Sequence, residues 1–254
     1  MEPSASNHRG VSIKVRGLRK SYEGREVLSG LDFDVKPAEV FVIMGPSGSG
    51  KTVLLKHLAG LEEPDAGEIL VDGNPVRTPE EESPYRMAMV FQSGALLNSL
   101  NVAENVGLYL SEHRLKPAEE INRIVSEKLD VVGLKDTEEK MPSELSGGMK
   151  KRVAIARALV SEPQLILYDE PTSELDPLSS VTIAEEIVNL NDRIHATSVV
   201  VSHDRDLAFG VADRIAVIND GRILTIGTPQ EVRANTDPLV RQFLNASFKR
   251  PNSK

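Results

Sequence analysis

The sequence contains no cysteine in 254 residues. This absence excludes disulfides, thiolate catalysis and cysteine-ligated zinc, and it fits a reducing compartment. Basic charge is also scarce, because 30 Lys and Arg stand against 38 Asp and Glu and leave a formal net charge of -8. Binding to a nucleic-acid backbone relies on a basic field, so nucleic acid is not an expected partner.

Long apolar runs are absent as well. Nowhere do about eighteen apolar residues follow one another, the length at which a bilayer-spanning helix becomes a candidate. The opening stretch MEPSASNHRG contains no apolar run typical of a secretory signal, so we expect a short flexible lead-in without export. If the chain works at a membrane, other subunits must hold it there.

Short apolar segments, in contrast, alternate with helical patterns. Continuous apolar runs, typical of strands buried on both faces of a parallel sheet, lie at 40–44, 165–168, 198–201 and 214–218. Period-two alternation predicts further, antiparallel strands at 11–18, 31–35 and 67–73. The chain is therefore predicted to be α/β, with a parallel sheet covered by helices and a smaller β-rich lobe.

Between Asn101 and Val160 the pattern is helical only, so an all-helical insertion divides the sheet-forming sequence. We predict one domain over residues 1–254, with a helical subdomain at about 93–160 and a flexible tail at 245–254. The acidic segment TPEEESP, at 78–84, is predicted to be a solvated loop.

A phosphate-binding loop is the strongest motif. GPSGSGKT fits G-x-x-x-x-G-K-[ST], and it follows a predicted strand and opens a predicted helix. Backbone N–H groups and the positive helix end would surround a phosphate chain, Lys51 would add a charge at the outer phosphates, and Thr52 would offer a hydroxyl to Mg²⁺. A glycine-rich turn without function would not need Lys and Thr in those positions. The predicted binding residues are Gly45, Pro46, Ser47, Gly48, Ser49, Gly50, Lys51 and Thr52.

Two carboxylates, Asp169 and Glu170, directly follow the apolar run LILY. The carboxyl end of a buried strand lies at the edge of an open sheet, where ligands collect. Asp169 is predicted to hold Mg²⁺ through its hydration shell, and Glu170 to polarise an attacking water as general base. A solvated turn is the alternative, and the phosphate loop in the same chain favours the catalytic interpretation.

Three single residues carry weaker signals. His203 ends another predicted buried strand and so could reach the same sheet edge, although a histidine there is more often a structural hydrogen-bonding group. Gln92 is a single amide side chain. It either acts at the site or only caps the helical insertion. Tyr22 lies in a predicted loop, where its ring either stacks on an aromatic base or is merely exposed.

A second glycine-marked helix start lies at LSGGMKKRVAIARALV, with Ser146 as the predicted N-cap. Gly147 and Gly148 each cost about 1 kcal/mol relative to alanine in a helix, and capping does not explain that cost. Bare glycines let a phosphate approach the backbone, but a nucleotide on 45–52 already faces one helix end. We therefore predict that two chains pair head to tail and that each nucleotide lies between them.

Taken in order, GPSGSGKT, Gln92, LSGG, LILYDEP, SELD and His203 resemble the nucleotide-binding subunit of ABC transporters, over nearly all of residues 11–244. The resemblance implies the ABC ATPase fold: a P-loop NTPase parallel sheet core, an antiparallel β subdomain and an inserted α-helical subdomain. It implies ATP and Mg²⁺ as cofactors, adenine stacking by Tyr22 and contact of His203 with the γ-phosphate.

The same resemblance implies that Gln92 senses the nucleotide, acts with Thr52 and Asp169 at the metal, and couples the site to the helical insertion. Asp176, within SELD, would communicate across the dimer. Two departures from the family pattern concern the interface. Met149 stands where most members have glutamine and cannot make its polar contact, so lower nucleotide affinity across the dimer is expected. Glu174 stands where a small residue is usual, and its negative charge near the interface is expected to weaken closure.

A finer resemblance lies in FQSGALLNSLNVAENV, MPSELSGGM, VVVSHD and DPLVRQFL. These segments are similar to the ATPase subunits of the Mla phospholipid transporters of Gram-negative bacteria and their Mce-associated relatives. The implied setting is the cytoplasmic face of the inner membrane, with a second copy of the chain and two membrane permeases. An Mce-domain lipid-binding protein and a small STAS-domain protein are the further implied partners.

Other functions remain as alternatives. An importer of polar solutes such as amino acids would use the same ATPase, as would a soluble ABC-type ATPase that remodels ribosomes, DNA or an assembly scaffold. A P-loop kinase would leave LSGG without a purpose. Coupling to a permease is predicted through an apolar cluster after Gln92, which is equally well explained as subdomain core; its members are Ala95, Leu96, Leu97, Leu100 and Val102.

Overall fold

The computed structural model of the chain describes residues 10–78 and 81–245. The strands are β1 (Ile13–Tyr22), β2 (Arg25–Val35), β3 (Val40–Met44), β4 (Ala66–Val71), β5 (Asn74–Pro75), β6 (Met87–Val90), β7 (Leu165–Asp169), β8 (Thr197–Ser202), β9 (Arg214–Asn219) and β10 (Arg222–Gly227). The α-helices are α1 (Lys51–Leu58), α2 (Val102–Glu112), α3 (Ala118–Val131), α4 (Gly147–Leu159), α5 (Pro177–Ile194), α6 (Arg205–Val211), α7 (Pro229–Ala234) and α8 (Pro238–Leu244). A short 3₁₀ helix covers Pro142–Glu144.

The central sheet has six strands in the order β10-β9-β3-β8-β7-β6. β3 pairs in parallel with β8 and β9, and β7 pairs in parallel with β8 and β6. The four continuous apolar runs therefore form a parallel sheet, as predicted. Two strands were not predicted: β6, whose four residues form too short a segment to show a period, and the closing antiparallel strand β10.

Successive residues of β3 explain why its apolar run is unbroken. Val40, Val42 and Met44 pack in one hydrophobic cluster, together with α4 and α5. Phe41 and Ile43 point to the opposite face, into a second cluster with α1 and the antiparallel sheet. Because side chains alternate between faces along a strand and both faces are buried here, every position must be apolar.

The second sheet has four strands in the order β2-β1-β4-β5. β1 pairs antiparallel with both β2 and β4, so the predicted β-rich lobe is confirmed. The first two strands are longer than predicted, since they run on to a tight turn at Glu23 and Gly24, both with positive φ. Tyr22 is consequently the last residue of β1 and pairs with Arg25, so its predicted loop position is wrong.

Helices α2 to α4 lie between β6 and β7 in the chain and pack on one another. α2 begins with a capping box, in which Asn101 accepts from the backbone N–H of Glu104 and the Glu104 carboxylate accepts from that of Asn101. Such reciprocal bonds satisfy two otherwise free donors at the helix start. Within residues 10–78 and 81–245, no helix is both long and apolar enough to cross a membrane.

Parts of two predicted segments lie outside the described residues. The predicted lead-in is described only from Gly10, and the predicted tail only at Asn245. Of the acidic segment at 78–84, the part that is described is irregular, and Glu81 to Pro84 are exposed.

Candidate functional site

Three neighbouring strands of the central sheet end at one place. The loop at 45–50 follows β3, Asp169 is the last residue of β7 and Ser202 is the last residue of β8. Because these strands are parallel, their carboxyl ends meet at one edge of the sheet, which is where open α/β sheets bind ligands. The parallel topology thus brings the phosphate loop, the paired carboxylates and His203 together.

Gly50 ends the loop in a conformation that excludes other residues. Its φ is 98°, and a Cβ there would lie 2.9 Å from the carbonyl oxygen of Val27. Gly50 is also the N-cap of α1, so no side chain caps this helix. The first N–H groups of a helix lack intrahelical acceptors, and here they remain available to an anion.

Lys51 is buried, with 6% of its surface exposed. Its ammonium donates to the carbonyl oxygens of Gly45 (2.9 Å) and Pro46 (3.1 Å), and it lies 3.5 Å from Oε1 of Glu170. The loop therefore folds back on its own lysine and places that charge beside the predicted general base.

Ser49 supplies an independent sign that this loop binds a ligand. Its hydroxyl is buried and has no hydrogen-bond partner in the structure. Unpaired polar atoms are rare inside proteins because losing water without compensation costs about 1–3 kcal/mol. A phosphate oxygen in the loop would satisfy this hydroxyl.

Thr52 and Asp169 form a pair of oxygen donors, with Oγ1 of Thr52 3.1 Å from Oδ1 of Asp169. Burial raises the pKa of Asp169, and the hydrogen bond from Thr52 partly opposes that shift. Among the described residues, no group of three or more Asp, Glu or His side chains could hold a metal alone. A hydroxyl with one carboxylate fits Mg²⁺, which usually keeps several waters and takes its other ligands from substrate phosphates.

Glu170 is held on several sides. Its Oε2 accepts from the Ser202 hydroxyl (3.1 Å) and the His203 backbone N–H (3.2 Å), and it lies 2.9 Å from Nδ1 of the His203 ring. Its φ is +45°, a left-handed conformation that non-glycine residues adopt rarely and that clusters at functional sites. The carboxylate is buried and fixed, whereas the side chain of His203 is 55% exposed and faces open space.

Gln92 follows β6, at the same edge of the sheet, and is exposed. Its backbone carbonyl accepts a very short hydrogen bond from Lys151. In the described part of the chain, no hydrogen bond joins its amide to Thr52 or Asp169, and its role as the third metal ligand stays a prediction.

Tyr22 lies at the end of the antiparallel sheet. Its hydroxyl makes a short hydrogen bond with Glu62, and burial together with this carboxylate raises the pKa of Tyr22 to about 12. The ammonium of Lys20 lies 5.6 Å from the centre of the ring. Tyr22 is 38% exposed, and its stacking on adenine stays a prediction.

Ser146 is the N-cap of α4, as predicted, and accepts from the backbone N–H of Met149 at 3.2 Å. No hydrogen bond joins 146–148 to 45–52 in the portion of the chain that is described. The two glycine-marked helix starts are therefore separate features of one chain.

The segment at 175–179 packs closely against the two glycines of α4. A Cβ on Gly147 would lie 3.2 Å from Cδ2 of Leu175, and one on Gly148 would lie 3.2 Å from Oγ of Ser179. Asp176, the N-cap of α5, holds this neighbouring region by accepting from the backbone N–H and the hydroxyl of Ser179. Intrachain packing is therefore a second explanation for the glycines, beside the approach of a phosphate.

The sequence analysis missed two cations on α4. Lys151 and Arg157 donate to backbone carbonyls of the loop that follows β6, at Gln92, Gly94 and Ala95. A usable signal existed, because Lys151 shares a helix face with the buried Ala154, Ile155 and Ala158. A lysine on an apolar face at helical spacing indicates a buried cation with a defined partner.

The predicted apolar cluster after Gln92 is divided by the structure. Val102 is buried and Leu96 packs against the core, whereas Leu97 is 47% exposed. Asn105 fixes the exposed part, because its fully buried amide donates to the carbonyls of Leu97, Leu100 and Asn101 and accepts from the N–H of Leu97. Val102 and Leu96 therefore belong to the core, whereas Leu97 is a surface residue.

The sequence matches the ABC transporter family profile over residues 28–173. It is 40% identical over 240 residues to the "Probable ribonucleotide transport ATP-binding protein mkl" of Mycobacterium leprae, covering 93% of this chain and 69% of that protein. It is also 40% identical over 249 residues to the "Intermembrane phospholipid transport system ATP-binding protein MlaF" of Escherichia coli K12, covering 96% and 91%.

Two solved structures are similar in fold. One is the "Dimeric structure of a post-hydrolysis state of the ATP-binding cassette MJ0796 bound to ADP and Pi", with a TM-score of 0.76 and 31% identity over 85% of this chain and 98% of that one. The other is cbiO1 of Clostridium perfringens, described as part of the ABC transporter complex cbiONQ, with a TM-score of 0.78 and 31% identity over 92% and 94%.

Proposed function

This chain belongs to the ABC transporter family and is its ATP-binding, ATP-hydrolysing subunit; from that premise we propose that two copies pair head to tail and drive phospholipid transport through partner permeases. The observation that carries the proposal is the division of the site. Lys51, Thr52, Asp169 and Glu170 converge at one sheet edge, whereas the start of α4 is presented elsewhere with no phosphate loop of its own chain beside it.

The residues at the sheet edge fit ATP hydrolysis. Glu170 would accept a proton from the water whose oxygen attacks the terminal phosphorus, as the bond from phosphorus to the ADP oxygen breaks. Lys51 and the N–H groups at the start of α1 would stabilise the charge on the phosphate oxygens, and His203 would contact the terminal phosphate from its exposed position. Mg²⁺, held by Thr52 and Asp169 with Gln92 as the third candidate, would neutralise phosphate charge.

The ion pair between Lys51 and Glu170 implies a rearrangement when ATP binds. Their charged groups are 3.5 Å apart, and both side chains are almost buried. A phosphate would compete for the ammonium, because it offers a stronger charge partner than the two loop carbonyls. ATP binding would thus release one oxygen of Glu170 toward the attacking water while His203 and Ser202 hold the other.

The remaining residues are assigned to the nucleotide and the interface. Tyr22 would stack on adenine while its hydroxyl stays on Glu62. Ser146, Gly147 and Gly148 of the partner would meet the γ-phosphate, so only the closed dimer would surround it with two helix ends. A dimer is known for a similar solved structure, since the structure of MJ0796 bound to ADP and Pi is described as dimeric.

Mixing two inactive variants tests this division. Ser146→Arg blocks the helix start but leaves the phosphate loop, whereas Lys51→Ala does the reverse. Each chain alone should lose nearly all ATPase activity. A mixture should regain one working site per mixed dimer, up to about a quarter of the parental rate per dimer pool for random pairing. A mixture that stays inactive although mixed dimers form would contradict the shared site.

Phospholipid is the proposed cargo because a relative that this chain covers over 91% of its length is named for intermembrane phospholipid transport. A relative in Arabidopsis thaliana, 38% identical over 269 residues with 98% of this chain and 78% of that protein covered, is named trigalactosyldiacylglycerol 3. A polar solute is the second candidate, since the mycobacterial relative at the same identity is named for ribonucleotide transport.

The chain is proposed to sit at the cytoplasmic face of the inner membrane on two permeases, with an Mce-domain protein and a small STAS-domain protein as further components. The exposed Leu97, presented by the loop that Asn105 holds, is the proposed permease contact. Leu97→Glu should leave folding and basal ATPase unchanged and reduce permease capture from a membrane extract about tenfold or more. Asn98→Glu, on the same exposed loop, is the matched control.

Isolating the complex from membranes distinguishes the cargoes. The affinity-tagged chain should retain its permeases and co-purify with phospholipid above the level in a mock purification. In proteoliposomes, ATP should then drive transfer of labelled phospholipid to an acceptor protein or vesicle. ATP-driven uptake of a nucleotide or an amino acid without lipid transfer would assign the ATPase to the second candidate.

A further inference from the structure

Lys151 lies in the second turn of α4, four positions after Gly147, and only 5% of its surface is exposed. A buried ammonium is costly unless hydrogen bonds and nearby negative charge replace its hydration. The surroundings of this lysine therefore need an explanation, and the site roles assigned above do not include it.

Its ammonium joins two loops that leave the sheet from different strands. It donates to the carbonyl oxygen of Gln92, after β6, by a very short bond. It also donates to the carbonyl oxygen of Glu170 and to the hydroxyl of Ser173, each at 3.3 Å, in the turn after β7. The three N–H groups of the ammonium thus have three acceptors, so all its donors are used.

Negative charge accompanies these bonds. Burial lowers the pKa of Lys151, and the carboxylates of Glu174, Asp169 and Glu170 oppose that shift. Arg157, farther along the same helix, donates to the carbonyls of Gly94 and Ala95 at 2.8 and 2.7 Å. α4 is consequently attached by cations to the backbone of both loops that carry site residues.

We propose that Lys151 is a positioning residue that ties Gln92 and Glu170 to α4, so that capture of the partner's nucleotide by Ser146 to Gly148 changes the reaction centre of the same chain. This inference rests on the head-to-tail dimer proposed above. An α-helix is stiff over the about 7.5 Å that separate Ser146 from Lys151, so a displacement at its start is carried to the ammonium. Positive cooperativity between the two ATP sites of the dimer therefore depends on Lys151.

Three variants of the full-length chain test the coupling. Lys151→Met keeps the length of the side chain and removes all donors, and Lys151→Gln keeps two N–H donors without the charge. Lys150→Met, at the neighbouring half-buried position of the same helix, is the matched control. Steady-state ATPase rates over a range of ATP concentrations give kcat, KM and the Hill coefficient, and gel filtration with and without ATP reports the dimer.

The parental chain and Lys150→Met should show a Hill coefficient well above 1. In Lys151→Met the coefficient should fall to about 1 and kcat about tenfold or more, with KM changed less than about threefold. Lys151→Gln should recover a large part of both. A structural role alone would lower the active fraction and the melting temperature but leave the Hill coefficient of the remaining enzyme unchanged, and that outcome would overturn the inference.

If Lys151→Met does not fold, Lys151→Gln decides the question, because loss of charge with retained donors must then lower the Hill coefficient measurably. A parental Hill coefficient of 1 would also overturn the coupling. Gel filtration would show separately whether the dimer itself fails to form, which is the failure of the proposed function.

Mixed dimers locate the effect. In the mixture of Ser146→Arg and Lys51→Ala chains, the working site uses Gln92 and Glu170 of the Ser146→Arg chain. The start of α4 in that chain is already blocked and holds no partner nucleotide, so the mixture tests the positioning of Gln92 and Glu170 by Lys151 separately from the coupling between the two sites. Adding Lys151→Met to that chain should still reduce turnover, and adding it to the Lys51→Ala chain should change turnover less than about twofold. Equal losses from both placements would show that the lysine does not act through its own Gln92 and Glu170, contrary to the inference.

Discussion

The sheet edge and the helical segment, which covers the loop after Gln92 and helices α2 to α4 at 93–159, present their functional groups in different ways. At the sheet edge, Lys51 lies 3.5 Å from the carboxylate of Glu170, and the hydroxyl of Thr52 donates to Asp169 at 3.1 Å. In the helical segment, Ser146 caps only its own helix, and the loop after Gln92 is held by its backbone carbonyls. The groups at the sheet edge already contact one another, whereas the start of α4 needs a nucleotide bound to a second copy of the chain to complete its proposed site.

Replacement of the general base should give the largest difference between the two regions. Glu170→Gln keeps the shape of the side chain but cannot accept the proton from water, so we expect turnover to fall about 10²–10⁴-fold. ATP binding should survive, and the ATP-bound dimer should accumulate in gel filtration. Glu185→Gln, on the exposed surface of α5, is the control. Turnover at the parental rate would remove Glu170 from its role.

Gly148→Ala examines the incomplete region, where two explanations for the glycine compete. The added methyl would lie 3.2 Å from Oγ of Ser179 and would also obstruct a phosphate from the partner. We expect a loss of turnover of about tenfold, although alanine favours the helix by about 1 kcal/mol. The double variant Gly148→Ala, Ser179→Gly removes the intrachain contact. Activity that stays low in it, relative to Ser179→Gly alone, assigns the glycine to the nucleotide, whereas recovery assigns it to packing.

Asn105→Ala should affect stability within the helical segment and leave the sheet edge intact. The change leaves the N–H of Leu97 and the carbonyls of Leu97 and Leu100 without their buried partner. We expect a loss of about 1–3 kcal/mol in the free energy of unfolding, measured in urea. Faster amide exchange should be confined to 97–101, and the exposed Asn98→Ala should change neither quantity. Equally fast exchange at 45–52 would show that the two regions are not independent.

Asp169→Asn should have the smallest effect on stability. Because the free energy of unfolding should not fall while turnover is lost, the variant distinguishes a functional role of Asp169 from a role in folding. A raised pKa means that the folded chain binds a proton more readily than the unfolded chain, so this group favours folding below its unfolded pKa and loses that contribution as pH rises through the folded value. At pH 7 the amide avoids the cost of a buried charge. The free energy of unfolding should therefore stay equal or rise slightly, while Mg²⁺-dependent turnover is lost. A clear loss of stability would contradict this account.

The prediction of the fold succeeded where a residue pattern has one physical cause. Unbroken apolar runs required burial on both faces, and β3, β7, β8 and β9 form the parallel sheet. The prediction failed where the context decides the structure. β6 is too short to show a periodic pattern. A longer loop was predicted around Tyr22, but β1 extends to a two-residue turn, so Tyr22 lies in the strand.

Local motifs also named most of the candidate site, because a phosphate loop and a strand-end carboxylate pair each need particular residues at fixed spacing. The residues that hold those motifs were not visible in the same way. The partners of Lys151, Arg157 and Asn105 are backbone carbonyls. Because every residue has a backbone carbonyl, the sequence of the partner loop does not show which of them is bound.

The sequence by itself determined the chemistry of this protein: the phosphate loop at 45–52, the carboxylates at 169 and 170, and a second bare helix start at 146–148. Only the tertiary structure decided how these parts are joined. Parallel pairing of distant strands brings Lys51 to Glu170, and a buried ammonium at Lys151 connects α4 to both loops of the site. Distances across strands depend on packing, which local residue spacing does not encode.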